Sequence, residues 1–208
     1  MRRTFAAHPC FYREDNPVIA LLKRIEEACA WFGRAIGWAT PILVISVCLS
    51  VLMAQLRFNV LFDWGSDVPL FGTKITMNGL TDLQWHLFAA MVMLGGVYAL
   101  HTDSHVSVDF IAGNFTERTR RIVVILGDIV FLLPFAAIMT WFAWKFMLSA
   151  YTSNEGSSYG GLEDTWIIKA VMPLGFSLLG LLGLARTLRL IIQLVLTRGA
   201  VAEKKVGA

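Results

Sequence analysis

The stretch from Leu83 to Arg121 constrains this chain most. It opens LQWHLFAAMVMLGGVYAL, an uncharged apolar run that ends at Leu100. As a helix that run is ~27 Å long, a slightly short fit to the hydrocarbon of a bilayer. It then breaks into HTDSHVSVDF, His101 to Phe110, and runs on into Arg118, Arg120 and Arg121. An apolar span that ends in a positively charged turn assigns that turn to the cytoplasm.

Composition points the same way. Of 208 residues, 56% are hydrophobic and only 16% are charged. Soluble domains carry about 25% charged residues, and one this apolar would expose large adhesive patches. The chain is therefore expected to be a multi-span membrane protein with the lipid bilayer as its solvent. Its net charge of +3 does not imply a nucleic-acid partner. The basic residues sit at the ends of apolar runs rather than in one patch. Cys10, Cys29 and Cys48 are odd in number and form no C-x-x-C pair, so neither a disulfide framework nor a zinc site is expected. Arg2 and Arg3 resemble the start of a signal peptide, but Ala6 to Asn16 is too polar to continue one. The first span is expected to act as the uncleaved insertion signal.

Residues 1–16 read as a cytoplasmic tail. Asn16-Pro17 is a helix-start signal. From Val18, an apolar stripe of Val18, Leu21, Leu22, Ile25, Cys29, Phe32 and Ile36 recurs at helical spacing. Lys23, Arg24, Glu26, Glu27 and Arg34 surround it. Residues 17–37 thus predict an amphipathic helix flat on the inner membrane surface, the alternative being a helix packed on a partner. Gly33 and Gly37 form a G-x-x-x-G that marks either a bend or a close helix contact.

The membrane domain, 38–196, holds four expected spans: 38–61, 83–100, 122–149 and 166–190. Phe62 to Leu80 reads as an irregular outer loop rich in turn residues. The third span is longer than the hydrocarbon core, so tilt is expected, and Pro134 should kink it. Ala150 to Thr165 forms a second, acidic outer loop. LIIQLVL carries the fourth helix inward past Arg186 and Arg189, before a tail at 197–208. Lys and Arg gather before span one, between spans two and three, and after span four. Trp64, Trp85, Trp144 and Trp166 fall near the other face, as an aromatic belt does. The fold class is an all-α integral membrane protein of four transmembrane helices, preceded by an interfacial helix, with both termini cytoplasmic.

Chemistry-bearing residues are few. Haem ligation needs histidines facing each other from two helices at one depth, and spans one, three and four contain none. That weighs against the alternative of a membrane anchor in an electron-transfer complex. His101 and His105, with Asp103 and Asp109 nearby, have a conceivable metal spacing, but a helix end entering a loop explains them as capping and loop residues. Asp128 is an ionisable group inside an apolar run, which is a functional candidate by default. It is read chiefly as a contact to a neighbouring span or subunit, with ion handling the alternative. Lys145 and Arg57 sit near outer span ends, where long basic side chains snorkel. No G-x-S-x-G, H-E-x-x-H or P-loop sequence occurs, so no catalytic residue, metal or cofactor is expected. Polar equipment this sparse suits a subunit that works beside another protein.

His105-Val106-Ser107-Val108-Asp109, reached directly from span two, resembles a signature of the small, DctQ-type membrane subunit of TRAP (tripartite ATP-independent periplasmic) transporters. The stretch Asn154 to Leu181 resembles that family again: Ser157 and Ser158 in the outer loop, then Trp166, Lys169 and Pro173-Leu174-Gly175-Phe176 opening the last span. The resemblance covers residues 18 to 196. Asp82 sits where the family often opens its second span with an acidic residue. Thr102-Asp103-Ser104 departs from the family, which commonly has a basic residue there. The resemblance implies a scaffold subunit bound to a large multi-span membrane subunit that holds the substrate and ion sites. It implies a periplasmic solute-binding protein that delivers an organic acid, and import driven by a sodium or proton gradient. Asp128, Arg57, His105, Asp109, Trp166, Lys169 and Pro173 are the candidates for partner contact or for structure. His86, Arg57 and the outer loops are candidates for contact with the binding protein.

Overall fold

The computed structural model describes residues 17–68, 72–102, 116–157, 160–162 and 164–206. Within them, four segments are long and apolar enough to cross a bilayer: Pro17–Leu56, Met77–His101, Arg118–Thr152 and Trp166–Leu196.

Helix α1, Pro17–Ile36, starts on the expected proline, whose missing N–H costs nothing in a first turn. Its buried face is Ile19, Leu22, Glu26, Cys29, Ala30 and Gly33, at the i, i+3, i+7 spacing of one helical side. That face packs on the helices Met77–His101 and Val171–Val206. Much of the predicted apolar stripe points elsewhere: Val18, Leu21 and Phe32 are exposed. At 100° per residue they lie roughly 100° from the bundle-facing side, and Lys23, Arg24, Glu27 and Arg34 occupy the remaining sector. Gly33 and Gly37 divide the two roles foreseen for them. A Cβ on Gly33 would lie 2.5 Å from the Leu94 carbonyl oxygen, so Gly33 is a close helix contact. Gly37 and Trp38 form the turn into α2.

Helix α2, Ala39–Leu56, stops short of the expected Leu61. Arg57 takes the left-handed conformation, φ 59°, and its N–H and that of Phe58 close the last turn on Ala54 and Met53. The aromatic and β-branched residues that follow suit a pleated surface. They form β1, Val60–Val68, which pairs antiparallel with β2, Gly72–Thr76. The loop expected to be irregular is therefore a bulged hairpin, an exception to the all-α expectation outside the helical bundle. Trp64 Nε1 donates to the Gly72 carbonyl at 2.8 Å, and the Asp63 carboxylate accepts from Gly65 N–H in an Asx turn.

Helix α3, Met77–His101, begins earlier than the apolar run suggested, because Thr76 caps it by accepting from Gly79 N–H at 3.1 Å. Helix α4, Glu117–Gly127, leads into a π-turn at Asp128–Leu132 and then α5, Leu133–Thr152. Leu133 N–H bonds the Asp128 carbonyl, five residues back. The break expected at Pro134 is thus taken up as a π-turn just upstream of it. After a short α6, Trp166–Lys169, helix α7 runs from Val171 to Val206, well into the stretch read as a tail.

Helix α7 is the common neighbour of α1, α3 and α5, while α2 packs on α3. Cys29, Val97, Leu100 and Leu182 form the core where α1, α3 and α7 meet. Gly183 lets α7 approach closely, since a Cβ there would sit 2.6 Å from Leu132 Cδ2.

Candidate functional site

The bundle's buried charge gathers where α1, α3, the π-turn and α7 converge. Asp128 opens the π-turn and is buried. Its Oδ2 accepts from Thr187 Oγ1 at 3.2 Å and lies 4.0 Å from Arg186 Nε. Arg186 Nη1 also donates to the Leu100 carbonyl at 3.4 Å, where the end of α3 leaves carbonyls unpaired. One turn on, Arg189 Nε pairs with Glu26 Oε1 of α1 at 2.8 Å. Glu26 is only 5% exposed. Glu26, His101, Arg186 and Arg189 also line a small polar cavity of about 30 Å³. The cluster therefore ties four helical segments by charge-assisted bonds, and each partner offsets another's desolvation.

A second polar assembly closes the opposite end. Thr76 Oγ1 donates to the Gly160 carbonyl at 3.1 Å, and the Asp82 carboxylate accepts from Leu162 N–H at 3.3 Å. Leu162 is 1% exposed, so the stretch 160–162 is seated on the start of α3. A Cβ at Gly161 would displace the Asp82 carboxylate from this position. Glu155 joins the loop to α6 and its flank: its carbonyl accepts from Thr165, and its carboxylate pairs with Lys169 Nζ at 2.6 Å. Lys169 also lies 4.3 Å from the centre of the Phe146 ring. Between the two ends, Gln84 Nε2 donates to the Ser46 carbonyl and Ser50 Oγ, both at 3.1 Å, stitching α3 to α2.

The sequence candidates fall into this frame unevenly. Asp128 finds its contact on the neighbouring α7. Trp166 packs edge-on to Tyr151 at 5.2 Å, beside Lys169, while Pro173 is buried near the start of α7. Arg57 is exposed at the end of α2, remote from both clusters. His105 and Asp109 lie outside the described residues, as does most of the loop they belong to. His86 Nδ1 faces the Asp82 carbonyl, so that nitrogen carries the proton. Lys145 Nζ lies over the Trp141 ring, 5.1 Å from its centre.

Sequence reading missed Glu26, Arg189, Thr187 and Gln84 as partners. By sequence Glu26 belongs with the charges that surround the apolar stripe of α1. Its spacing from Leu22, Cys29 and Gly33 is the signal that places it on the packed face. Among the described residues, no group of three or more His, Cys, Asp or Glu side chains comes together.

Four apolar helical segments, fastened by polar contacts at both ends, define a multi-pass membrane protein of the helical-bundle class. The chain belongs to the family described as tripartite ATP-independent periplasmic transporters, DctQ component, which matches residues 43–193. That is a family of transporter components rather than of enzymes. Helix α1 precedes the matched region. No curated protein and no solved structure gives a match to the chain.

Proposed function

We propose that this chain is the scaffold subunit of a TRAP-type secondary transporter in the bacterial inner membrane. It braces a large multi-span subunit that holds substrate and ion sites. A periplasmic binding protein delivers an organic acid, and a sodium or proton gradient drives import. One observation carries the reading: the bundle's buried charges are matched to partners within the chain. Glu26 meets Arg189, and Asp128 meets Thr187 and Arg186. Such an arrangement holds helices in place, and among the described residues no group of three or more His, Cys, Asp or Glu side chains comes together to hold a cation. An elevator or rocking partner needs a frame that stays still, and bonds among four helical segments supply one.

The three sectors of α1 support its placement at the inner membrane surface. One side grips the bundle, Val18, Leu21 and Phe32 face the acyl boundary, and Lys23, Arg24 and Arg34 face the headgroups. An even number of spans returns both termini to one side, and the Lys/Arg distribution makes that side the cytoplasm.

Reconstitution tests the whole reading. The chain alone in vesicles should be inert. Together with its large subunit and binding protein it should support gradient-driven uptake of an organic acid. Asp128→Asn, which keeps an acceptor for Thr187, should retain both assembly and transport, whereas Asp128→Ala should lower both together. Full assembly with abolished transport in Asp128→Asn would assign Asp128 to ion handling instead.

A further inference from the structure

The hairpin between α2 and α3 has two unlike faces. Successive strand residues point to opposite sides, so Phe62 and Trp64 share one face and Asp63 takes the other. The Phe62 and Trp64 rings lie 5.6 Å apart. The register sets Ile75 of β2 opposite Phe62 and Lys74 opposite Asp63, and cross-strand partners share a face. One side is thus aromatic and aliphatic, and the other is charged. Trp64 gives its indole N–H to the Gly72 carbonyl, which leaves the rest of its ring apolar. Phe62 is 59% exposed, so the bundle does not cover the apolar side.

A two-stranded hairpin is marginal in water by itself, and packing on a further surface secures it. Its attachment decides which surface is within reach. Only Arg57, Phe58 and Asn59 separate α2 from β1, and α3 follows β2 without a linker. The Met77 N–H donates to the Asn59 carbonyl at 3.0 Å and closes the base. The hairpin therefore springs from the adjoining ends of two segments that are long and apolar enough to cross a bilayer. Leu52, Leu56 and Phe58 are exposed on the approach to it, so the apolar surface of α2 continues to its base. Both strands are also edges, whose unpaired N–H and C=O groups hydrocarbon cannot satisfy. The interfacial layer meets both demands: water and headgroups reach the backbone while apolar side chains enter the acyl boundary.

The geometry points to an interfacial anchor: the β1–β2 hairpin lies on the outer leaflet of the bilayer, with Phe62, Trp64 and Ile75 in the lipid and Asp63 and Lys74 facing water. The inference rests on the membrane placement of α2 and α3 and does not depend on the scaffold role. An anchor at this point fixes the depth and tilt of both helices.

Photo-crosslinking tests it. A benzophenone amino acid at position 62 keeps an aromatic ring there. The same residue at position 74 probes the charged face, and at position 45, on exposed Ile45 of α2, it reports the lipid around the span. Each full-length chain is reconstituted in phosphatidylethanolamine–phosphatidylglycerol vesicles and irradiated. Phospholipid adducts should form from positions 45 and 62 and be lost at position 74. Adducts from position 45 alone would put the apolar side in water, and equal lipid adducts from 62 and 74 would remove its sidedness. Either result overturns the proposal. No adduct from any position would remove the membrane placement of α2, and the anchor with it. With the large subunit and the binding protein added, position 62 should keep its lipid adduct, and an adduct to either protein in its place also overturns the proposal. If those proteins do not assemble with the chain, the scaffold reading fails, while the vesicle result still decides the anchor.

Discussion

Glu26 and Arg189 show how much a single pair decides here. Glu26 is almost fully buried and Arg189 is 26% exposed, so the pair is partly desolvated and joined by a short charge-assisted bond. Removing one member leaves the other without its counter-charge. Glu26→Ala or Arg189→Ala should each lower stability by about 1–3 kcal/mol, read as a depressed melting temperature in detergent. Glu26→Leu combined with Arg189→Leu should cost clearly less than the sum of the single changes, because no orphan charge remains. Additive losses would mean that the two side chains act independently. Asp128 was visible in the sequence because an acid within an apolar run stands out. Its partners were not, since Thr187 looks unremarkable and the π-turn sets the direction in which Asp128 points.

At the scale of elements, α1 depends on one missing side chain. A Cβ at Gly33 would meet the Leu94 carbonyl oxygen at 2.5 Å and the Tyr98 amide nitrogen at 2.9 Å. Both are backbone atoms, which cannot rotate away. Gly33→Leu should lift α1 off α3, costing about 1–3 kcal/mol or more, and should speed tryptic cleavage after Lys23 and Arg24 in the folded protein. Gly37→Ala is the contrast, since its nearest contact is the Arg34 carbonyl of its own turn at 3.1 Å and the bundle is untouched. The helices themselves were legible, because uncharged runs long enough for a bilayer leave few alternatives. The hairpin was not. Val60, Phe62, Ile75 and Thr76 favour strands, but Gly65, Gly72 and intervening polar residues broke the alternation that identifies a strand. Element ends were displaced where local caps decided them, at Arg57 after α2 and at Thr76 before α3.

Across the molecule's described residues, charged fastening sits at the two ends, and between them Gln84, Ser46 and Ser50 supply uncharged polar contacts. Asp128 belongs to one end, and the Tyr151–Trp166 and Phe146–Lys169 contacts belong to the other. The same helical segment joins them, and it contains the π-turn. Deleting a residue from an ordinary helix turns everything beyond it by ~100° and shortens it by ~1.5 Å. A π-turn is a helix with one residue of slack, so removing Val130 can be absorbed by tightening that loop of backbone. The shortened chain should still fold, with the Tyr151–Trp166 and Phe146–Lys169 contacts intact, and only Asp128 swung away from Thr187. Loss of folded protein on that deletion, judged by gel filtration, would show that the surplus is no spare. If the chain tolerates it, span three carries its own length adjustment, and its two halves can drift apart in sequence without losing their alignment.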